Sequence, residues 1–163
     1  IAIAKHYGPV YLRFGRPKMP VFTPENQEFN IGEAIMLKEG TDVTIVATGH
    51  LVWEAIEASH ILAEMGINVE VINIHTIKPL DASAILKSVE KTGCIVTAEE
   101  HQMNGGLGDS IAQLLAINRP TPLEMVAVKD SFGESGKPSD LMEKYGLTRS
   151  DIVKSVKKVL TRK

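Results

Sequence analysis

The sequence lacks the features that define several common classes of protein. Its single cysteine, Cys94, excludes a disulfide framework within the chain, so we expect a reducing, cytoplasmic compartment. Because Cys94 lies in an apolar run, a small buried hydrophobic residue is favoured there over a nucleophile. No apolar run approaches the roughly 20 residues of a membrane span. A formal net charge of −2 gives no electrostatic reason to expect nucleic acid or a membrane as a partner.

The chain also lacks the motifs of several enzyme classes. It has no Gly-x-Gly-x-x-Gly or Walker-type loop, and no serine or cysteine lies in a nucleophile elbow. Glu99 and Glu100 do not form a general acid–base pair, because adjacent residues of a strand point to opposite faces. What remains is an ordinary globular composition of 163 residues, 44% hydrophobic and 23% charged, which is enough to bury one core.

Apolar runs alternate with helical patterns through most of the chain. The runs are rich in β-branched residues and apolar on both faces, as in strands buried within a parallel sheet. We predict four such strands, at residues 42–48, 69–74, 94–98 and 124–128. Helices between successive strands imply right-handed crossovers, so the predicted fold is α/β, an open, doubly wound and mostly parallel sheet with helices on both faces. Residues 29–37 are predicted to add an antiparallel edge strand.

The first residues follow a different pattern. Residues 1–7 have the pattern of the last turns of a helix, which Gly8 ends, and residues 10–14 have that of a strand. Three prolines between residues 15 and 26 indicate a connector. We therefore expect the sequence to be a piece of a longer protein. The predicted division is a last helix turn and strand of a preceding domain at residues 1–16, a linker at 17–29 and one domain at 30–163.

A polar turn with three glycines lies between the third predicted strand and the next helix. The run contains His101, Gly105, Gly106 and Gly108. Junctions of this kind place free N–H groups and the positive end of a helix at the carboxyl edge of the sheet. The turn could therefore border an active site or bind an anion, or it could be a close-packed turn in which any Cβ would clash. Packing is favoured, because no basic residue between Glu99 and residue 119 could help to hold a phosphate.

Two further histidines, His50 and His75, follow predicted strands at the same edge. A metal site needs ligands that converge on one point, and a shared edge of a sheet does not establish such convergence. The start of a helix explains His50 equally well, and a hydrogen bond within a turn explains His75. No set of metal ligands is therefore predicted.

Five segments taken together resemble the transketolase family of thiamine-diphosphate-dependent enzymes. The segments lie at residues 8–16, 33–49, 73–81, 97–108 and 132–148. The first is similar to the last strand of the family's pyrimidine-binding domain, and the other four are similar to its C-terminal domain. The last segment resembles in particular the tail of transketolases that are split into two short subunits. The segments occur in the family's order along the whole chain.

The resemblance implies an enzyme that transfers a two-carbon ketol unit between sugar phosphates with thiamine diphosphate and Mg²⁺. Family members hold the diphosphate and the metal in an N-terminal domain, and they place the glutamate that activates the aminopyrimidine ahead of the strand resembled by residues 8–16. The family's Gly-Asp-Gly motif for the metal site does not occur in this chain. The resemblance therefore implies a C-terminal piece that has no catalytic residue, metal ligand or cofactor of its own and is inactive alone.

The resemblance also implies partners and one contact with substrate. The expected partners are the N-terminal part or a partner subunit of the same enzyme, a second copy in a homodimer, and sugar phosphates. Arg16 matches an arginine that contacts the substrate phosphate in the family, and Arg13 is its neighbour on the strand. A guanidinium suits this contact because its planar fork meets phosphate oxygens in pairs. A solvated arginine in a linker is the alternative interpretation.

Two other functions stay open at this point. The chain could be the equivalent domain of a deoxyxylulose-phosphate synthase or of a 2-oxoacid dehydrogenase β subunit, since these relatives share the soft motifs of the superfamily. It could also be a regulatory module that binds a small molecule at the glycine turn. A pocket with a bound anion at residues 105–108 would favour the regulatory module.

Overall fold

The computed structural model describes all 163 residues and contains one five-stranded sheet with helices on both faces. The strands are β1 (Ile35–Lys38), β2 (Val43–Ala47), β3 (Val69–Asn73), β4 (Ile95–Gln102) and β5 (Leu123–Val128). The helices are α1 (Leu51–Glu64), α2 (Ala82–Thr92), α3 (Leu107–Asn118), α4 (Pro138–Lys144) and α5 (Arg149–Leu160). The strand order is β1-β3-β2-β4-β5, and β1 alone is antiparallel to its neighbour. The predicted α/β class and mostly parallel sheet are confirmed.

The sheet separates two apolar clusters that together form the core. Alternate residues of a strand point to opposite faces, so Val43 and Ile45 pack in the cluster with α1 and α5, whereas Val46 packs with α2 and α3. Every residue of β2 and β3 is buried. Burial on both faces explains why these strands appear in the sequence as continuous rather than alternating apolar runs.

A buried polar network joins α2 to the sheet. Glu70 of β3 has a side chain that is 1% exposed, and its carboxylate accepts hydrogen bonds from Ser88 Oγ at 2.5 Å and from Lys91 Nζ. Thr44 of β2 shares hydrogen bonds with Ser88 at 2.5 Å and with Thr92 at 2.7 Å. The hydrogen bonds to Glu70 and then to Glu39 raise the pKa of Lys91 above its ordinary value. A carboxylate is tolerated inside the sheet here because each of its oxygens accepts a hydrogen bond.

Two helices begin at residues whose side chains form hydrogen bonds at the helix start. Asp81 precedes α2, and its carboxylate accepts a hydrogen bond from the backbone N–H of Ala84 at 3.0 Å. Thr148 precedes α5, and its hydroxyl donates to the carboxylate of Asp151 at 2.7 Å. Burial tends to raise the pKa of Asp151, but the hydrogen bonds from Thr148 and Lys154 outweigh it and hold that pKa below its ordinary value.

The predicted bounds of several elements differ from the structure. Residues 10–14, whose sequence pattern is that of a strand from a preceding domain, are exposed and belong to no strand of this sheet. Residues 1–7 contain a short 3-10 helix, Ile3–Lys5, instead of the last turns of an α-helix. The predicted edge strand is antiparallel as expected, but it covers Ile35–Lys38 and not residues 29–37.

The third predicted strand ended at residue 98, but β4 continues to Gln102. Its extension pairs with the end of β5 after an irregularity in register, because Gln102 lies opposite Val128. Backbone pairing of this kind tolerates polar side chains, so the change from apolar to polar residues did not mark the end of the strand.

None of the helices is long and apolar enough to cross a membrane.

Candidate functional site at the carboxyl edge of the sheet

The carboxyl ends of β2 and β4 bring His50 and Glu100 together. His50 is the N-cap residue of α1, and its side chain makes no capping hydrogen bond. The imidazole Nδ1 instead lies 2.7 Å from Oε2 of Glu100, with the two side chains 18% and 41% exposed. Since parallel neighbouring strands end at the same edge, residues 50 positions apart in the sequence become partners here.

The N-terminal segment passes over the same place. Both terminal nitrogens of the Arg13 guanidinium donate to the carbonyl oxygen of Glu100 at 3.3 Å. Gly15 lies against the imidazole of His50 so closely that a Cβ at this position would overlap the ring. Arg16 follows on the exposed side of the segment. The two arginines predicted as phosphate ligands therefore lie beside the carboxyl edge of the sheet, and neither forms an ion pair within the chain.

The N-terminus of α3 is occupied by a carboxylate of the chain itself. Glu99 is 3% exposed, and its two carboxylate oxygens accept hydrogen bonds from the N–H groups of Leu107 and Gly108, each at 2.7 Å. A Cβ at Gly106 would overlap this carboxylate, and a Cβ at Gly108 would lie 2.8 Å from Thr97 Oγ1. The N–H groups that an external anion would use are already bonded, so the geometry favours the packing interpretation of the turn.

Sequence reasoning identified the acidic pair but missed its role. The carboxylate of Glu99 occupies the position that a bound phosphate would take at this helix start. The two side chains do point to opposite sides of the strand, toward α3 and toward His50. A glutamate that ends a buried strand a few residues before a glycine-rich helix start is the signal that could have indicated the internal cap.

The other predicted residues of this edge do not join His50 and Glu100. His101 is exposed, and its Nδ1 lies 2.8 Å from the carbonyl oxygen of its neighbour Gln102. Gly105 has a φ of +77°, and its N–H donates to the Asp109 carboxylate at 3.1 Å. The turn therefore uses Gly105 for its left-handed conformation, and Gly106 and Gly108 for close packing.

His75 lies apart, at the end of β3 beside the edge strand. Its Nδ1 is 3.0 Å from the hydroxyl oxygen of Thr76, and its ring meets Phe29 edge-on at a centroid distance of 5.1 Å. Burial lowers the pKa of His75 below its ordinary value. The imidazole borders a shallow cleft of about 350 Å³ that is lined mainly by polar side chains, among them Gln27, Asn30 and Glu33.

The residues present do not fit a diphosphate with its divalent metal. No three His, Cys, Asp or Glu side chains lie together where they could hold a metal ion. The glycine-rich helix start, which is the place where a diphosphate would be expected to bind, is neutralised by Glu99. Two exposed guanidinium groups, those of Arg13 and Arg16, lie beside this edge.

Comparison with known proteins decides the family. The family profile described as "Transketolase, C-terminal domain" matches residues 32–152. The chain belongs to the transketolase family. The matched residues contain the whole sheet, helices α1 to α4 and the start of α5, as the resemblance of the sequence segments implied.

Individual relatives of this transketolase C-terminal domain extend the match to nearly the whole chain. The 6-deoxy-6-sulfo-D-fructose transketolase subunit of Clostridium sp. (strain MSTE9) is 48% identical over 161 residues, which are 99% of this chain and 50% of the relative. The 1-deoxy-D-xylulose-5-phosphate synthase 1 of Geobacter sulfurreducens is 37% identical over 97% of this chain and 25% of its own.

A solved structure supports the same assignment. It is described as a split gene transketolase, inactive β4 tetramer, and it superimposes with a TM-score of 0.94 at 44% identity, over 98% of this chain and 54% of that chain. The transketolase C-terminal domain described here therefore spans about half the length of the transketolase subunits it matches.

Proposed function

We propose that this chain is the C-terminal part of a thiamine-diphosphate-dependent transketolase that transfers a two-carbon ketol unit between sugar phosphates. The observation that carries the proposal is the likeness of nearly the whole chain, at 44% identity and a TM-score of 0.94, to a split gene transketolase. In this proposal the domain supports and assembles the enzyme, and the catalytic residues lie in the remainder.

The cofactor belongs to that remainder. Thiamine diphosphate supplies the carbanion chemistry of such an enzyme, and the protein supplies placement and electrostatics. Support comes from the residues at hand: Glu99 already fills the glycine-rich helix start, and no cluster of metal-ligating side chains is present. We therefore expect no thiamine diphosphate or Mg²⁺ to bind to this chain alone.

Arg16, with Arg13 beside it, is proposed to bind the phosphate of the sugar substrate. Both arginines are exposed, and neither is neutralised by an acidic partner in the chain. A free guanidinium can meet two phosphate oxygens at once. The position of the segment beside the carboxyl edge of the sheet agrees with the usual place of ligands in open α/β sheets.

The proposed partners are the N-terminal remainder or a partner subunit of the same enzyme, and a second copy of the chain. One relative is described as a transketolase subunit and another as a split gene transketolase. Large apolar side chains near the carboxyl edge are exposed here, among them Tyr11 at 88%, Phe14 at 84% and Phe132 at 100%. Exposed apolar side chains in this number are what a covering partner would bury.

We also place the enzyme in the cytoplasm, a location that agrees with a single, buried cysteine.

A deoxyxylulose-phosphate synthase is the second candidate, favoured by the 37% identity to one such enzyme. The test is an assay of the complete enzyme with thiamine diphosphate and Mg²⁺. We expect transfer of a ketol unit from a ketose phosphate to an aldose phosphate. Turnover of pyruvate with release of CO₂, without ketol transfer, would instead assign the synthase.

A further inference from the structure

Arg13 and Gly15 of the N-terminal segment contact the folded domain near the ends of β2 and β4. Arg13 is the residue of segment 1–16 whose side chain donates hydrogen bonds to the domain, and both of these bonds go to the Glu100 carbonyl oxygen. Two residues later, Gly15 lies flat against the imidazole of His50. His50 is in turn bonded to the carboxylate of Glu100 at 2.7 Å. Four residues thus form one continuous contact.

The domain side of this contact is rigid. His50 is the N-cap residue of α1, three positions after the buried strand β2 ends. Glu100 lies within β4, and the preceding residue, Glu99, is hydrogen-bonded to the start of α3. Residues held on strand ends and helix starts keep their positions better than residues in loops. The segment side, by contrast, is exposed and has no regular structure from residue 9 to residue 15.

The two arginines of the segment, Arg13 and Arg16, have no acidic partner within the chain. Arg13 is held through a backbone carbonyl and not through a carboxylate, so its positive charge is not paired, and Arg16 follows one residue after the glycine. Only a residue without a Cβ allows the backbone to lie this close to the imidazole.

We propose that His50 and Glu100 form a seat that positions residues 13–16, and through them Arg16, for the phosphate of the sugar substrate. This rests on the proposed function, in which Arg16 binds that phosphate, and adds positioning residues from the C-terminal domain itself. His50 and Glu100 touch neither substrate nor cofactor in this proposal. They act by fixing the backbone that carries the guanidinium groups.

The most direct test prevents the contact with His50 by changing a residue of the segment. In the complete enzyme, Gly15→Ala places a methyl group in the imidazole of His50 while leaving the core untouched, because residue 15 is exposed. The matched control is Gly133→Ala, also in an exposed loop, where a Cβ meets nothing within 4 Å. His50→Gln and Glu100→Ala disturb the seat from the side of the domain.

The readout compares a phosphorylated aldose acceptor with the same sugar lacking its phosphate. We expect Gly15→Ala to lower kcat/KM for the phosphorylated acceptor about tenfold, mainly through KM, because a displaced guanidinium loses binding to phosphate. For the unphosphorylated sugar we expect a change of less than about twofold, as for the control on both sugars. His50→Gln should show the same selectivity.

Each other outcome is decisive. Equal losses with both sugars would show that the contact is merely structural, and no loss with either would show that no seat exists. Arg16→Ala separates the two levels of the proposal. If Arg16→Ala leaves the preference for the phosphorylated sugar intact, the proposed phosphate site is wrong. If Arg16→Ala abolishes this preference, but Gly15→Ala and His50→Gln do not, the phosphate site stands and only the positioning role of His50 and Glu100 is wrong.

Discussion

At the scale of single residues, Glu99 determines what the glycine turn can do. Its carboxylate bonds the two N–H groups at the start of α3, inside a site where a single Cβ on Gly106 would displace it. An unpaired buried carboxylate is costly. The stability of the turn therefore depends on a glycine that has an ordinary φ of −94° and is required for space rather than for conformation.

Gly106→Ala should lower the free energy of unfolding by about 1–3 kcal/mol, because the methyl group separates Glu99 from its two N–H donors. Urea denaturation of the wild-type and variant chains measures this difference. Gly133→Ala is the control and should change the free energy of unfolding by less than about 0.5 kcal/mol. In the complete enzyme, Gly106→Ala should leave kcat and KM nearly unchanged.

The opposite pattern would contradict the packing interpretation. If Gly106→Ala altered kinetics while the free energy of unfolding stayed the same, the turn would border the active site or an anion site. A phosphate ion bound on the N–H groups of residues 106–110 at modest concentration would contradict it equally.

Cys94 should be unreactive in the folded chain. The residue is fully buried, and burial raises the pKa of its thiol above the ordinary value of 9.0, so the reactive thiolate is scarce. Ellman's reagent at neutral pH should titrate the thiol only after the chain is unfolded in guanidinium chloride. Stoichiometric reaction of the native chain within minutes would show that Cys94 is accessible and would restore the nucleophile interpretation.

At the scale of helices and strands, the buried parallel strands were predictable and the contacts between distant residues were not. The runs at residues 42–48 and 69–74 are apolar on both faces because both faces of β2 and β3 are covered. The caps at Asp81 and Thr148 depend on residues three positions away, which a local pattern can show.

The candidate site was predictable only as a location. That the carboxyl edge would hold His50 and Glu100 followed from the topology of parallel strands, but their hydrogen bond did not. The contacts of Arg13 and Gly15 join residues more than 30 positions apart through an irregular segment. No periodicity describes such a segment, so the sequence pattern at residues 10–14 did not indicate which residues of the domain it would contact.

The junction between β3 and the edge strand should be sensitive to pH through His75. Burial lowers the pKa of His75 below the ordinary value of 6.5, so the unfolded chain takes up a proton that the folded chain resists. The contribution of His75 to the free energy of unfolding is therefore fully present above pH 6.5. It is lost as the pH falls through and below 6.5. His75→Gln should weaken the fall in the free energy of unfolding between about pH 7.5 and pH 5.5.

Denaturation curves at several pH values check this. His60→Gln, at a side chain that is 66% exposed, is the matched control for replacing a histidine by glutamine. If His75→Gln and the wild type lose stability in parallel as the pH falls, burial of His75 does not contribute.

At the scale of the whole molecule, the chain is a well-packed sheet domain with one exposed surface, here called the margin, that is both apolar and basic. Tyr11, Phe14 and Phe132 are nearly fully exposed around the carboxyl edge where Arg13 and Arg16 lie. The relatives described as transketolase subunits are about twice as long as this chain. These two facts agree with the proposal that the remainder of the enzyme covers this margin.

Isothermal titration calorimetry with thiamine diphosphate and Mg²⁺ tests most directly whether the cofactor site lies outside this chain. We predict no measurable binding to the purified chain and clear binding to the complete enzyme under the same conditions. Micromolar affinity of the chain alone corresponds to about 8 kcal/mol of binding free energy. Such a result would contradict the proposal, since the domain would then contain the cofactor site that its residues do not fit.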